Sequence, residues 1–339
     1  MTLLVVSLVA AAILGFTTQR ASICTVKAVA EVLSSGHAHM LASFAKTVLW
    51  VIAISLPLTT LWPEAKPPVP EWRLTWTAVA GGLVFGIGAA INQGCAFSTL
   101  TQLGSGRLRM VLTLFGFGLG IAAFAGLASH AAVPPPQHGA PAEPWFAGTG
   151  LALILGLLAW CLWEGWRLWR TRAGDAGAWA LIAAHRYRLS TGAALIGITN
   201  GLLYAVYGPW SYTGALRRQI EANWALSPVP AAVQWGLGAA VLIGMLGSAC
   251  QRGAFHLDWR PRLAWLENFA GGLLMGLGVG AIPGGNDVLL LHSIPGFSPH
   301  ALPAYGAILA GVAATLMARR ALTGRAPRID CSGDICTGD

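Results

Sequence analysis

Charge is what this chain of 339 residues has least of: Asp, Glu, Lys and Arg together make up 10% of it. Soluble globular proteins carry about 25%, so an ordinary water-soluble domain is excluded. No low-complexity run dominates, and apolar residues are plentiful, which excludes a disordered chain. Cysteine is scarce as well. Six residues, at 24, 95, 161, 250, 331 and 336, are too few and too scattered for a secreted disulfide framework. No basic region precedes the first apolar run, so Met1-Thr2-Leu3-Leu4 reads as the start of a retained span rather than a cleaved signal peptide.

What is present is apolar. Hydrophobic residues make up 55% of the chain and the mean hydropathy is +0.62. The 43 glycines follow no collagen period and fall mostly inside apolar stretches, where membrane helices tolerate them better than soluble ones do. The fold class is therefore an all-α integral membrane protein whose first partner is the lipid bilayer.

A bilayer needs about 20 apolar residues per helix. Nine runs meet that need, near 2–17, 41–62, 74–91, 108–130, 146–170, 193–207, 231–250, 267–282 and 301–321. Four further stretches, 21–34, 95–104, 211–222 and 286–294, are too short to span and too apolar for plain loops. Irregular backbone at membrane depth survives only against protein or a water-filled cavity, so these four are expected to be short re-entrant helices.

Lys and Arg set the orientation. With nine spans, 17 of the 21 basic residues collect on the side of the C-terminus; only Lys66, Arg73, Arg217 and Arg218 fall on the other. The C-terminus is thus expected in the cytoplasm and the N-terminus in the periplasm. The net charge of +8 is explained by this asymmetry and gives no reason to expect a nucleic-acid partner.

The segment Ala80-Gly81-Gly82-Leu83-Val84-Phe85-Gly86-Ile87-Gly88 recurs 190 residues later as Ala270-Gly271-Gly272-Leu273-Leu274-Met275-Gly276-Leu277-Gly278. Span 1 then falls on span 6 and span 4 on span 9. A shift of five spans is odd, so the halves have opposite orientation: an inverted-topology repeat, with a site expected at the midplane. The organisation is one transmembrane domain, 1–321, built of a first repeat at about 1–130, a connector helix at 146–170 and a second repeat at about 193–321. Residues 322–339 are left as a cytoplasmic tail. Short helices entering from both sides make an hourglass.

Each short helix begins inside the membrane, aiming N–H groups and a positive dipole end at the neck. The first half supplies Asn92, Gln93, Gly94 and Cys95; the second supplies Gly284, Gly285, Asn286 and Asp287. Two such ends with glycines beside them suit a small anion. Spans 3, 4, 8 and 9 hold no Lys, Arg, Asp or Glu in their membrane portions, so no charged proton relay or cation cage is visible. Cys95 stands out, since a thiol at a helix start can donate a weak hydrogen bond to a soft, polarizable atom. Cys24 is placed in the cytoplasmic vestibule, opposite a repeat counterpart near Thr213, and Cys250 ends span 7 on the cytoplasmic side. Cys161 and Glu164 lie in the connector, the first as packing and the second snorkelling. Cys331 and Cys336 sit in a polar, acidic tail that reads as a mobile end. Their spacing is compatible with metal binding, a redox pair or sulfur exchange and specific for none of them.

Together these residues resemble the YeeE/YedE family of thiosulfate and sulfur-compound transporters. The resemblance rests on G-F-x-x-Q-R-x-x-x-C at 15–24, N-Q-G-C at 92–95, P-W-x-x-T-G-A at 209–215, and the second glycine repeat followed by Gly284-Gly285-Asn286. It covers roughly 1–321. It implies nine spans plus four short helices in an hourglass, and uptake of thiosulfate past a line of cysteines across a bacterial inner membrane. It also implies a small cytosolic TusA-like sulfurtransferase as partner, with Cys95 as the neck cysteine of the first half and Cys250 as a further path cysteine. One departure stands out: the family usually reads G-G-C at the second neck, where this chain has Gly285, which leaves sulfite or another related sulfur-containing anion open as the substrate beside thiosulfate. The substrate site predicted on this basis comprises Cys95, Gly94, Gln93, Asn92, Cys24, Cys250, Gly284, Gly285, Asn286 and Thr213. No cofactor, metal site or catalytic set is predicted. A sensor that binds thiosulfate without moving it is the alternative. A channel lacks the expected rings of carbonyls or charges, and an enzyme lacks a base beside Cys95.

Overall fold

A computed structural model describes residues 2–62, 64–65, 72–139, 150–170, 184–259, 264–324, 329–332 and 334–338. The predicted connector residues 146–149 lie outside the described residues, as do Lys66, Arg172, Arg260, Arg262, Arg325 and Arg328 of the basic count. Thirteen helices follow in order among the described residues. They are α1 (Thr2–Ala21), α2 (Thr25–Ser35), α3 (His39–Leu61), α4 (Trp76–Ile91), α5 (Ala96–Gly104), α6 (Arg109–Ser129), α7 (Gly150–Arg170) and α8 (Leu189–Tyr207). Then come α9 (Tyr212–Glu221), α10 (Ala232–Gln251), α11 (Ala264–Ala281), α12 (Asn286–Ser293, its second part a π-helical turn) and α13 (Ala301–Thr323).

Each of the nine apolar runs coincides with a long helix, and each short stretch with a short one. By length and composition, seven stretches are able to cross a membrane, or eight if the bent pair α11 and α12 counts as one span. The connector α7, with Glu164, Arg167 and Arg170, is not among them. Three of the short helices run on from their predecessors instead of turning back as re-entrant loops would, and the fourth is set off by a bend. Helices α1 and α2 run on as Thr2–Ser35, α4 and α5 as Trp76–Gly104, and α8 and α9 within Leu189–Trp224, while α12 leaves α11 at 49°. The physical reason is the shortness of the breaks. Three or four residues interrupt the ladder without providing the length a reversal needs.

Two of these breaks share one geometry. Gly94 N donates to Ala89 O at 3.0 Å, and Gly284 N donates to Val279 O at 3.2 Å. The residue after each glycine is the N-cap of the next helix, with φ −76°, ψ −178° at Cys95 and φ −78°, ψ −178° at Gly285. All three positions of one turn lie 190 residues from those of the other. The helices that lead into the breaks cross in the same reciprocal way. A Cβ on Gly88 would lie 2.6 Å from Gly271 O, and one on Gly278 would lie 2.6 Å from Gly81 O. Gly88 and Gly278 are repeat mates, as are Gly81 and Gly271. Such self-complementary contact is what a two-fold relation produces, and the missing side chains let the backbones approach. The remaining contacts follow the same pairing: α11 packs on α6 as α4 packs on α13, and α10 packs on α1 as α3 packs on α8.

The buried carboxylates of Glu31 and Glu164 are partnered. Glu31 of α2 accepts from the backbone N–H of His39 at 3.0 Å and of Met40 at 2.9 Å, capping α3 from outside that helix. Glu164 does not snorkel. It is 1% exposed, 3.1 Å from Lys46 and 2.5 Å from Arg167, because α7 packs on α3, where Trp50 and Trp160 meet with ring centres 5.5 Å apart.

The tail is not a mobile end. Ile329–Ser332 and Ile335–Gly338 form an antiparallel hairpin in which Cys331 stands opposite Cys336, and Cys331 is disulfide-bonded. Ile329 and Cys331 are buried, and Ser34 Oγ donates to Ile329 O at 3.1 Å. Asp334 receives Ser190 N at 2.9 Å and Ser190 Oγ at 2.8 Å, so its carboxylate caps the first turn of α8. Hydrophobic content was too low to predict docking; a capping carboxylate and two buried residues supply it.

Candidate functional site

Every break ends in an N-cap, and the N-caps converge. Cys24 caps α2 and Cys95 caps α5, neither with a side-chain bond to its own helix. The two thiols are free, 2% and 1% exposed, and within hydrogen-bonding reach of one another. The structure therefore moves Cys24 from the expected vestibule to the side of Cys95. The helix position of Cys24 corresponds to Ser211, the N-cap of α9, rather than to Thr213.

Asn286, in the first turn of α12, ties this pair to the second half. Its Oδ1 accepts Ala96 N at 3.3 Å and its Nδ2 donates to Thr25 Oγ1 at 3.2 Å. Tyr212 of α9 donates its hydroxyl to Ala96 O at 2.8 Å, and the Tyr305 hydroxyl of α13 lies beside Thr25. Around two thiols, then, stand hydroxyls, one amide and the starts of three helices. This surface is neutral, polarizable and rich in donors.

The second half differs in chemistry. Thr213 Oγ1 donates to Asp287 Oδ1 at 2.5 Å, and the Ser211 hydroxyl is the other polar side chain beside the carboxyl. A Cβ on Gly285 would lie 2.5 Å from Asp287 Oδ1 and 3.1 Å from Thr213 Oγ1. That crowding is a physical reason for glycine at 285. With Asp287 and Thr213 in place, a second cysteine there has no room.

The other predicted site residues have different positions. Asn92 uses its side chain on the turn and its neighbours. Its Nδ2 donates to Gly94 O (2.9 Å) and Thr99 Oγ1 (3.1 Å), while Oδ1 accepts from Thr113 (2.8 Å) and Asn268 (2.9 Å). The amides of Gly94 and Gly284 are engaged within their own turns. Gln93 is exposed, and so is Cys250 in the last turn of α10, whereas the thiol pair is buried. Among the described residues no group of three or more His, Cys, Asp or Glu is placed to hold a metal.

Sequence reasoning missed Thr25, Ser211, Tyr212 and Tyr305 as neighbours of the site, and it placed Asp287 at the neck without giving it a role. The available signal was positional. Once a break is recognised, the N-cap and the two residues after it are the ones aimed at the neck. A single acid inside an apolar stretch is a second signal.

A family model for sulphur transport matches residues 20–314 of the chain. Comparison with curated proteins finds no match.

Proposed function

The chain belongs to the YeeE/YedE sulphur-transport family, and on that premise we propose that it takes up thiosulfate across a bacterial inner membrane. The observation that carries this reading is the buried pair of free thiols, Cys24 and Cys95, at the starts of α2 and α5. Thiosulfate has a soft terminal sulfur and three oxyanion oxygens on the other sulfur. A protonated thiol donates S–H to the terminal sulfur, while helix starts present N–H groups and positive dipole ends to the oxygens. No fixed cation is needed, and a site without one releases a dianion more readily. In this reading Thr213, Gly285 and Asn286 face the anion from the second half, and Gly94, Gly284 and Asn92 shape the turns.

The topology we propose has nine spans, four of them broken, with the N-terminus periplasmic and the C-terminus cytoplasmic. The matching turns at 89–95 and 279–285 and the reciprocal glycine contacts support two inverted repeats. The basic count of 17 to 4 supports the orientation. A small TusA-like sulfurtransferase as cytosolic partner is inferred from the resemblance alone, and no enzymatic step is assigned. The second reading, a sensor that binds without moving the anion, rests on one observation: Gly285 removes the second neck thiol.

Growth decides between them. A bacterium deficient in thiosulfate uptake, given thiosulfate as its only sulfur source, is expected to grow when this chain is expressed. Binding of thiosulfate by the purified protein without rescue of growth would establish the sensor.

A further inference from the structure

Asp287 is 1% exposed and makes no ion pair among those of the described residues. Its Oδ1 is held by Thr213, while Oδ2 has no hydrogen bond of good geometry. The carboxyl borders a cavity of about 20 Å3, together with Ser211, Tyr212, Trp210 and Phe97. That is room for one water. Tyr212 lies near both Asp287 and Cys95, so the carboxyl and the thiol pair flank one aromatic ring.

An ionised carboxylate at that place is stabilised by the starts of α9 and α12, yet it repels a dianion held at the thiols. A neutral carboxyl removes the repulsion. We propose that Asp287 takes up a proton each time thiosulfate occupies the neck and gives it up on the cytoplasmic side, so that uptake is proton-coupled. The balance is one proton and one dianion inward per cycle, a net movement of one negative charge, with no bond made or broken except O–H. The cavity bordered by the Asp287 residue has room for the water through which that proton arrives.

Other groups around Asp287 do not replace it. From α9 it faces Tyr212, from α5 Cys95 and, behind that, Cys24; on its own helix His292 lies one turn on, between Tyr204 and Trp210. On α9, Arg218 stands beyond Gly214 and bonds Gln234 at 2.7 Å, while Arg217 is paired with Glu221 at 2.7 Å.

This inference rests on the transport reading, and the experiment separates the two. Wild-type protein in vesicles, with the potential clamped by potassium and valinomycin, is given radiolabelled thiosulfate with and without an acid-outside gradient. Downhill entry without a gradient tests transport alone; its absence ends both readings. With a gradient of one pH unit, one proton per anion allows accumulation to approach about tenfold. Asp287→Asn is expected to bring the ratio of uptake with and without the gradient to about one, whatever its absolute rate, and Asp287→Glu to keep the ratio above one. Should the Asn variant fail to assemble, infrared difference spectra of the wild type on adding thiosulfate are expected to show a new protonated-carboxyl band. Transport indifferent to the gradient, an Asn variant that keeps the wild-type ratio, or a spectrum without the band would each overturn the proposal.

Discussion

Asn286 hydrogen-bonds through its Oδ1 to the backbone N–H of Ala96, the residue 190 positions before it and its own mate in the repeat. Residues that meet their own mates lie at a two-fold axis. In the inverted-repeat arrangement proposed above, the bond puts that axis between the starts of α5 and α12, beside the thiol pair. The break turns share one geometry. The chemistry on the two sides of that axis differs because Cys95 faces it from one half and Gly285 with Asp287 from the other.

Removing either thiol is expected to weaken thiosulfate uptake. A neutral hydrogen bond is worth about 0.5–1.5 kcal/mol net, so Cys95→Ala or Cys24→Ala should lower affinity roughly 2- to 12-fold. Uptake at matched membrane abundance, with sulfate as control, measures it. Wild-type uptake in both variants would remove the thiols from the path.

Restoring a cysteine at 285 is expected to fail alone and to succeed in combination. The new Cβ meets the Asp287 carboxyl at 2.5 Å, and overpacking of this kind costs about 1–3 kcal/mol. Gly285→Cys should therefore lower thermal stability, and adding Asp287→Ala should recover most of it. Strictly additive losses would show that the two positions do not compete for space.

The crossing of α4 and α11 has no room for a methyl group. Gly88→Ala and Gly271→Ala each place a Cβ within 2.8 Å of a facing carbonyl oxygen, and neither backbone yields cheaply. Melting of the detergent-purified protein is expected to fall by several degrees in either variant. Gly126→Ala, at an open position, serves as the control and should melt as the wild type does.

Asp334→Ala removes the carboxylate that caps α8 and docks the tail hairpin. Loss of such a cap costs about 1 kcal/mol. Limited proteolysis is expected to release the hairpin faster from this variant, with the membrane body intact. An unchanged cleavage rate would mean that Ile329 and Ser34 hold the tail without it.

Reporter fusions test the orientation. A reporter active only in the cytoplasm should work at the C-terminus, and one active only in the periplasm should work at the N-terminus. Both termini on one side would end the nine-span arrangement.

Much of this architecture was legible in the residues. The apolar runs located the long helices, since a chain in hydrocarbon must satisfy its backbone internally. The repeated glycine motif located the two matching breaks. Gly94, Cys95, Gly284 and Gly285 were recognisable as turn and helix-start positions because composition and spacing are local properties. The sequence could not tell a short helix that continues its predecessor from one that doubles back, as that depends on a bend of a few residues.

Which side chains meet was decided only by the tertiary structure. Cys24 and Cys95 are 71 residues apart, and nothing local says that the starts of α2 and α5 face each other. Asn92 looks like a ligand in sequence but hydrogen-bonds to Thr113 and Asn268 once α6 and α11 arrive. Gly285 looks like a lost ligand until Thr213, 72 positions earlier, brings Asp287 across the space a side chain would need. Residue type and period determine which segments enter the membrane, because that cost is counted per residue against lipid. The chemistry at the breaks is set by whichever helices close packing brings together.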